Sequence, residues 1–164
     1  MRIAINAASL SKSNFDIFFT LAKAHPGETF YFFLEKESSF SPFSSNIQQV
    51  IIYSKKEARL NRNRLFTIKI KRALKKIEAD IFISEKAVIL NSKIPQILLS
   101  PELSYFFYAA GLNEKEKQYY QKNNGAFCKT AVEIMVNSFF LKKEIVEKFQ
   151  VPEEKIQVIY HSIN

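Results

Sequence analysis

The sequence predicts an α/β fold, a doubly wound, mainly parallel sheet with helices on both faces. Three observations carry that prediction. Short runs of branched and aromatic residues recur along all 164 residues. They lack the in-and-out alternation of a half-exposed antiparallel sheet, and stretches with helical spacing separate them.

The elements follow in order. Arg2 to Ala7 (RIAINA) reads as a strand, and Ser13 followed by Asp16 reads as a capping box opening a helix with Phe15, Phe18, Phe19 and Ala22 on its inner side. Pro26 and Gly27 end that helix. Thr29 to Leu34 is an apolar strand, Glu35 to Ser45 a polar loop, and Ile47 to Tyr53 a third strand. From Glu57 to Glu78 a long helix is expected, because Phe66, Ile70, Leu74 and Ile77 make one apolar stripe. Buried strands are expected at Ala79 to Ser84, Ile94 to Ser100 and Glu133 to Asn137, with a helix from Glu114 to Lys129 carrying Tyr119, Tyr120, Ala126 and Phe127. Ser138 is a natural N-cap for a last helix, whose Leu141, Ile145 and Phe149 face inward while Lys142, Lys143 and Glu144 face water. Pro152 stops that helix, Glu153 to Lys155 turn, and Ile156, Val158 and Ile159 form a closing strand.

Composition bounds the rest. With 47% hydrophobic residues the chain buries one substantial core, so a single domain over residues 1–164 is expected. No run approaches the roughly 18 apolar residues of a membrane span, and MRIAINAA lacks the pattern of a signal peptide, which points to a soluble, cytoplasmic protein. The single cysteine, Cys128, reads as a core thiol, and no cluster suggests a metal site. Most of the 16 phenylalanines and seven tyrosines are expected in the core. A net charge of +8 favours anionic partners. The charge concentrates in helix 57–78, at Arg59, Arg62, Arg64, Lys69, Lys71, Arg72, Lys75 and Lys76. That face is either simply solvated or rests against an acidic membrane surface; no nucleic-acid-binding module accompanies it, so nucleic acid is set aside.

In open α/β sheets ligands bind beyond the carboxyl ends of strands, which singles out Ala7 to Ser13, Ser84 to Val88, Ser100 to Tyr105 and Asn137 to Phe139. The first loop, AASLSKS, has no glycine to let a phosphate approach the backbone; Gly27, Gly111 and Gly125 all lie elsewhere. It is either a plain polar turn or a substrate contact through Ala8, Ser9, Lys12 and the helix amides. Ser100 to Tyr108 (SPELSYFFY) sets Glu102, Ser104 and Tyr105 beyond a strand end, suited to a saccharide ring, unless the aromatics are core and Glu102 caps a turn. Ser138 is a cap at another strand end and a second candidate contact. Neither His25 nor His161 has a nucleophile or acid beside it, so no catalytic residue is assigned.

From Val136 to Ile159 the serine-led helix, the Val151-Pro152 turn and the strand that follows resemble the first domain of the family-four (group 1) retaining glycosyltransferases. The resemblance extends to RIAINA and to the Ala-Asp strand at Ala79 to Ser84. It departs from the family where Pro101 and Glu102 replace a His-Asp pair, and where Tyr160, His161 and Ser162 replace Pro-Asn-Gly. It implies the Rossmann-like, acceptor-side half of a two-domain enzyme of the GT-B type. A C-terminal domain, absent from this chain, would hold a nucleotide-sugar donor through basic residues and a paired-glutamate motif, without a metal ion or other cofactor. The implied acceptor is a saccharide or a lipid-linked sugar of surface polysaccharide synthesis, and the chain alone would be inactive. The departures keep an alternative open: a stand-alone, degenerate module that docks on a partner glycosyltransferase or an acidic membrane.

Overall fold

The computed structural model describes residues 1–35, 44–52, 62–85, 93–99 and 114–160. Its strands form one seven-stranded sheet in the order β3-β2-β1-β4-β5-β6-β7. The resolved pairings within it are parallel. The predicted α/β class is therefore the observed one. The chain divides into two compact units, residues 1–84 with 90–95, and residues 85–89 with 96–164.

The first unit holds β1 (Arg2–Ile5), α1 (Lys12–Ala24), β2 (Thr29–Leu34), β3 (Ile47–Ile51), α2 (Arg62–Lys76) and β4 (Ile81–Ser84). β1 sits between β2 and β4, with Ile3 opposite Phe30 on one side and Ile81 on the other. The strands are almost continuously buried, as a sheet covered on both faces requires. Successive side chains point to opposite faces, and the packing follows that rule. Phe32 meets Phe15 and Phe19 of α1 at ring distances of 5.4 and 6.4 Å, while its neighbour Phe33 meets Phe82 at 6.2 Å. Ile70 and Leu74, one turn apart on α2, are fully buried, as their spacing predicted.

Two polar clamps close this unit at the N-terminal ends of its strands. Arg2 donates from its backbone to Asp80 Oδ2 at 2.6 Å, and from Nη1 to Glu78 Oε2 at 2.5 Å and Ile77 O at 3.2 Å. The Glu78 carboxylate, foremost, holds the Arg2 guanidinium above its usual range. Glu78 itself turns through φ 51°, a left-handed conformation that releases the chain from α2 into β4. The second clamp is Asn46. Its buried Nδ2 donates to Ala22 O, His25 O and Glu28 O at 2.8, 3.0 and 3.0 Å, so two N–H groups serve three carbonyls where α1 ends.

The second unit holds β5 (Gln96–Leu99), α3 (Glu114–Thr130), β6 (Glu133–Val136), α4 (Phe139–Phe149) and β7 (Ile156–Val158). Leu98, Cys128, Ile134, Val136, Ile145, Val151 and Ile156 form its core, with Leu141 and Phe149 packed against them. Gly125 allows the helices to approach, since a Cβ there would lie 3.3 Å from the Phe149 ring. Lys155 Nζ donates to Lys129 O and Ala131 O, both at 3.3 Å, and so closes the end of α3. Cys128 is the expected core thiol, and burial pushes its pKa up to about 12.

The differences from the sequence reading are local. Residue 13 is not the cap of α1: Ser11 holds the extended backbone a cap needs, and its Oγ accepts from Asn14 N at 3.3 Å. β1 ends at Ile5 because Ala7 enters a 3-10 turn. On α4 Glu144 lies half-buried against Lys148, at 2.7 Å, and Lys142 leans toward Glu153, at 3.2 Å. Residues 36–43 and 53–61, which include part of the expected loop and the start of the basic helix, lie outside the described residues. No described helix is long and apolar enough to cross a membrane.

Replacing Asn46 by Ala is expected to destabilise the protein by about 2–3 kcal/mol, since it strands carbonyls that the amide now serves; urea denaturation reads the loss. Native Cys128 is expected to resist Ellman's reagent at pH 8 and to react at once in denaturant. The folded thiol holds its proton more tightly than the unfolded one, so its contribution to stability is whole below the ordinary value of 9.0 and is lost as pH rises toward about 12. Denaturant midpoints measured across that window check the sign.

Candidate functional site

The carboxyl ends of the strands carry polar groups in each unit. In the first unit Asn6, just past β1, donates its backbone N–H to Ile83 O at 2.9 Å and so continues the ladder between β1 and β4. Its side chain is buried, and Nδ2 donates to the equally buried Ser84 Oγ at 2.9 Å. A polar pair in this apolar setting is tolerated because its members bond one another. It ties together the carboxyl ends of β1 and β4.

The turn after β1 runs from Ala7 to Ser9 and closes with Leu10 N on Ala7 O at 3.4 Å. Ala8 is half-buried in it, and the Ser9 side chain lies outside the described atoms. Ser11 caps α1 and has its Oγ 3.2 Å from Ser13 Oγ. Lys12 is exposed at the first position of the helix. Ala8 in the turn and Lys12 after it therefore lie close in sequence, beside hydroxyls and the positive end of a 13-residue helix. The arrangement suits hydrogen bonding to hydroxyls or a negative group, and no glycine opens it for deeper approach.

In the second unit the chain leaves β6 at Val136, and Ser138 takes an extended backbone at φ −156°, ψ 152°. Its Oγ accepts from Leu141 N at 3.2 Å, which makes it the predicted N-cap of α4. Ile159 N donates to Val136 O at 2.8 Å and brings the end of β7 beside it. Phe139 and Tyr160 meet edge to face at 6.2 Å and are 65% and 66% exposed; Phe140 is exposed too. These three aromatics belong to the minority expected outside the core. At 100° per residue, Phe139 and Phe140 fall off the stripe through Leu141, Ile145 and Phe149, a signal the sequence did contain.

Of the predicted site residues, Ala8 lies in the 3-10 turn, Lys12 opens the helix that follows it, and Ser138 caps a helix in the other unit. Glu102, Ser104 and Tyr105 lie outside the described residues, as does His161. Among the described residues no group of three or more His, Cys, Asp or Glu side chains could hold a metal ion.

No protein-family model matches the sequence, and no curated protein matches it. Solved structures do match in fold. WaaG, a glycosyltransferase involved in lipopolysaccharide biosynthesis, superposes with a TM-score of 0.67 at 11% identity, over 97% of this chain and 44% of its own. HepE from Anabaena, in complex with UDP-glucose, gives 0.64 at 10% identity, over 100% of this chain and 44% of its own. The wall teichoic acid polymerase TagF gives 0.61 at 13% identity, over 98% and 38%. The chain spans less than half the length of these structures, and its fold is the Rossmann-like α/β fold found within them, the fold of half of a GT-B architecture.

Ser138 separates a structural role from a binding one. Replacement by Ala is expected to cost about 1 kcal/mol through the lost cap, read by thermal denaturation, while replacement by Asp retains the cap and the stability.

Proposed function

We propose that this chain is the N-terminal, acceptor-binding half of a glycosyltransferase that moves a sugar from a nucleotide-sugar donor onto a saccharide or lipid-linked acceptor, in surface polysaccharide synthesis. The observation that carries the proposal is the extent of the fold match. Nearly all of this chain superposes on less than half of WaaG, which is named a glycosyltransferase, of HepE, which holds UDP-glucose, and of the polymerase TagF. Two of those names, lipopolysaccharide biosynthesis and wall teichoic acid polymerase, point to cell-surface polymers.

In this reading the donor belongs to a second, C-terminal α/β half, and the present chain supplies the surface that orients the acceptor. Ala8 and Ser9 of the turn after β1, with Lys12 at the start of α1, would offer amides, hydroxyls and one cation to sugar hydroxyls. Ser138 stands at the second strand-end surface, where the exposed rings of Phe139 and Tyr160 supply a flat apolar edge of the kind that sugar rings pack on. Glu102, Ser104 and Tyr105 complete the proposed acceptor contacts by sequence position. Holding the acceptor hydroxyl in one orientation is the catalytic contribution such a half makes, since positioning alone removes a large part of a bimolecular barrier. The enzyme would work in the cytoplasm, peripheral at the inner face of the plasma membrane, where lipid-linked acceptors are met.

The test is a transfer assay on the isolated chain with a panel of sugar nucleotides and saccharide acceptors. No transfer above the uncatalysed rate is expected. Robust turnover by the chain alone would contradict the assignment of the donor site to a second half.

A further inference from the structure

Of the chain's 24 Lys and Arg residues and 16 Asp and Glu residues, α2 holds seven of the first kind and none of the second. The rest of the protein is left nearly neutral, with 17 basic residues against 16 acidic. Almost the whole net charge therefore sits on one helix, about 22 Å long at 1.5 Å per residue. The helix has a fixed orientation in its unit, because Ile70 and Leu74 are buried to completion. Ile68, Arg72, Lys75 and Lys76 are exposed, at offsets of four, seven and eight residues, and form one outward face. Lys71 lies half-buried at its margin.

Among the described residues none of Lys71, Arg72, Lys75 and Lys76 is ion-paired with a carboxylate, and Arg72 with Lys76 and Lys71 with Lys75 make like-charge pairs four residues apart. α4 of the same protein behaves differently: Lys143 pairs with Glu147 at 3.7 Å and Lys148 with Glu144 at 2.7 Å. Repulsion along α2 weakens the helix by itself, and a polyanion laid against the face removes it. Among its described side chains the face contains one apolar residue, Ile68, and no aromatic or amide group that would stack on a base or read one.

We infer that the outward face of α2 docks this protein on bilayers that carry anionic lipid, by charge and with only shallow apolar contact. Each Lys or Arg at an anionic surface strengthens binding about fivefold, and the attraction decays within a Debye length. Binding is therefore reversible and sensitive to salt. The inference sharpens the membrane part of the proposed function by naming its face and mode, and its experiment reads lipid binding alone, so sugar transfer can fail without affecting it.

The experiment is co-sedimentation of the whole chain with vesicles of phosphatidylcholine, alone or with 30 mol% (about a third) phosphatidylglycerol. Binding is expected only to the anionic vesicles at low salt, with release as ionic strength rises. The triple variant Arg72→Gln, Lys75→Gln, Lys76→Gln, checked for native circular dichroism, is expected to bind on the order of 100-fold more weakly. Ile68→Ser is expected to change binding less than about threefold, as an electrostatic mode requires. Equal binding to both vesicle types, or an unaffected triple variant, would overturn the inference. A loss of more than about tenfold in Ile68→Ser would overturn the electrostatic mode. Tighter binding to duplex DNA than to vesicles, at matched anionic charge, would overturn the choice of lipid.

Discussion

Parallel pairing is the constraint on which the rest of the structure depends. A parallel strand cannot follow its neighbour through a tight turn, and α1, α3 and α4 make the returns from β1 to β2, β5 to β6 and β6 to β7. In the first unit this puts Phe15 and Phe19 of α1 against Phe32 and leaves Phe33 and Phe82 to the opposite face. In the second it buries Ile145 of α4 with Ile134 and Ile156. The same directionality gathers the strand ends, so the groups after β1 and β4 form one surface and those after β6 and β7 another. Ligand-facing residues are therefore a consequence of topology.

The two ends of the strands in the first unit are secured differently. At the N-terminal ends, Arg2 with Glu78 and Asp80, and Asn46 with three carbonyls, consume polar capacity on internal contacts. At the carboxyl ends, Asn6 and Ser84 bond across two strands, and Ser11, Lys12 and Ser13 stand exposed at the start of α1. One end is built for closure. The other presents hydroxyls, a cation and helix amides. α2 adds a third kind of surface, where charge has been concentrated instead of balanced.

Much of this was legible in the sequence, for physical reasons that differ by element. Ile70 and Leu74 announced the buried side of α2, and Ser138 announced the cap of α4, because a helix repeats and a cap needs a short hydroxyl side chain. The start of α1 was misplaced by two residues: Ser11 and Ser13 have the same chemistry, and only the backbone conformation distinguishes them. The Asn6–Ser84 pair was not legible, since it joins residues 78 positions apart and a buried asparagine looks like a loop residue in sequence. The exposure of Phe139 was legible from its place off the stripe through Leu141, Ile145 and Phe149, whereas its edge-to-face contact with Tyr160, 21 positions on, was not. The candidates Glu102, Ser104 and Tyr105 rest on their place in the sequence.

The most direct test of the central claim, that the strand-end surfaces meet a sugar acceptor, is a saccharide titration of the isotope-labelled chain followed by amide chemical shifts. The account predicts perturbations centred on Ala8, Lys12 and Ser138 with their neighbours, including Phe139 and Tyr160. Shifts confined to the opposite ends of the strands, around Arg2, Asn46 and Glu78, or absent at millimolar saccharide, would contradict it.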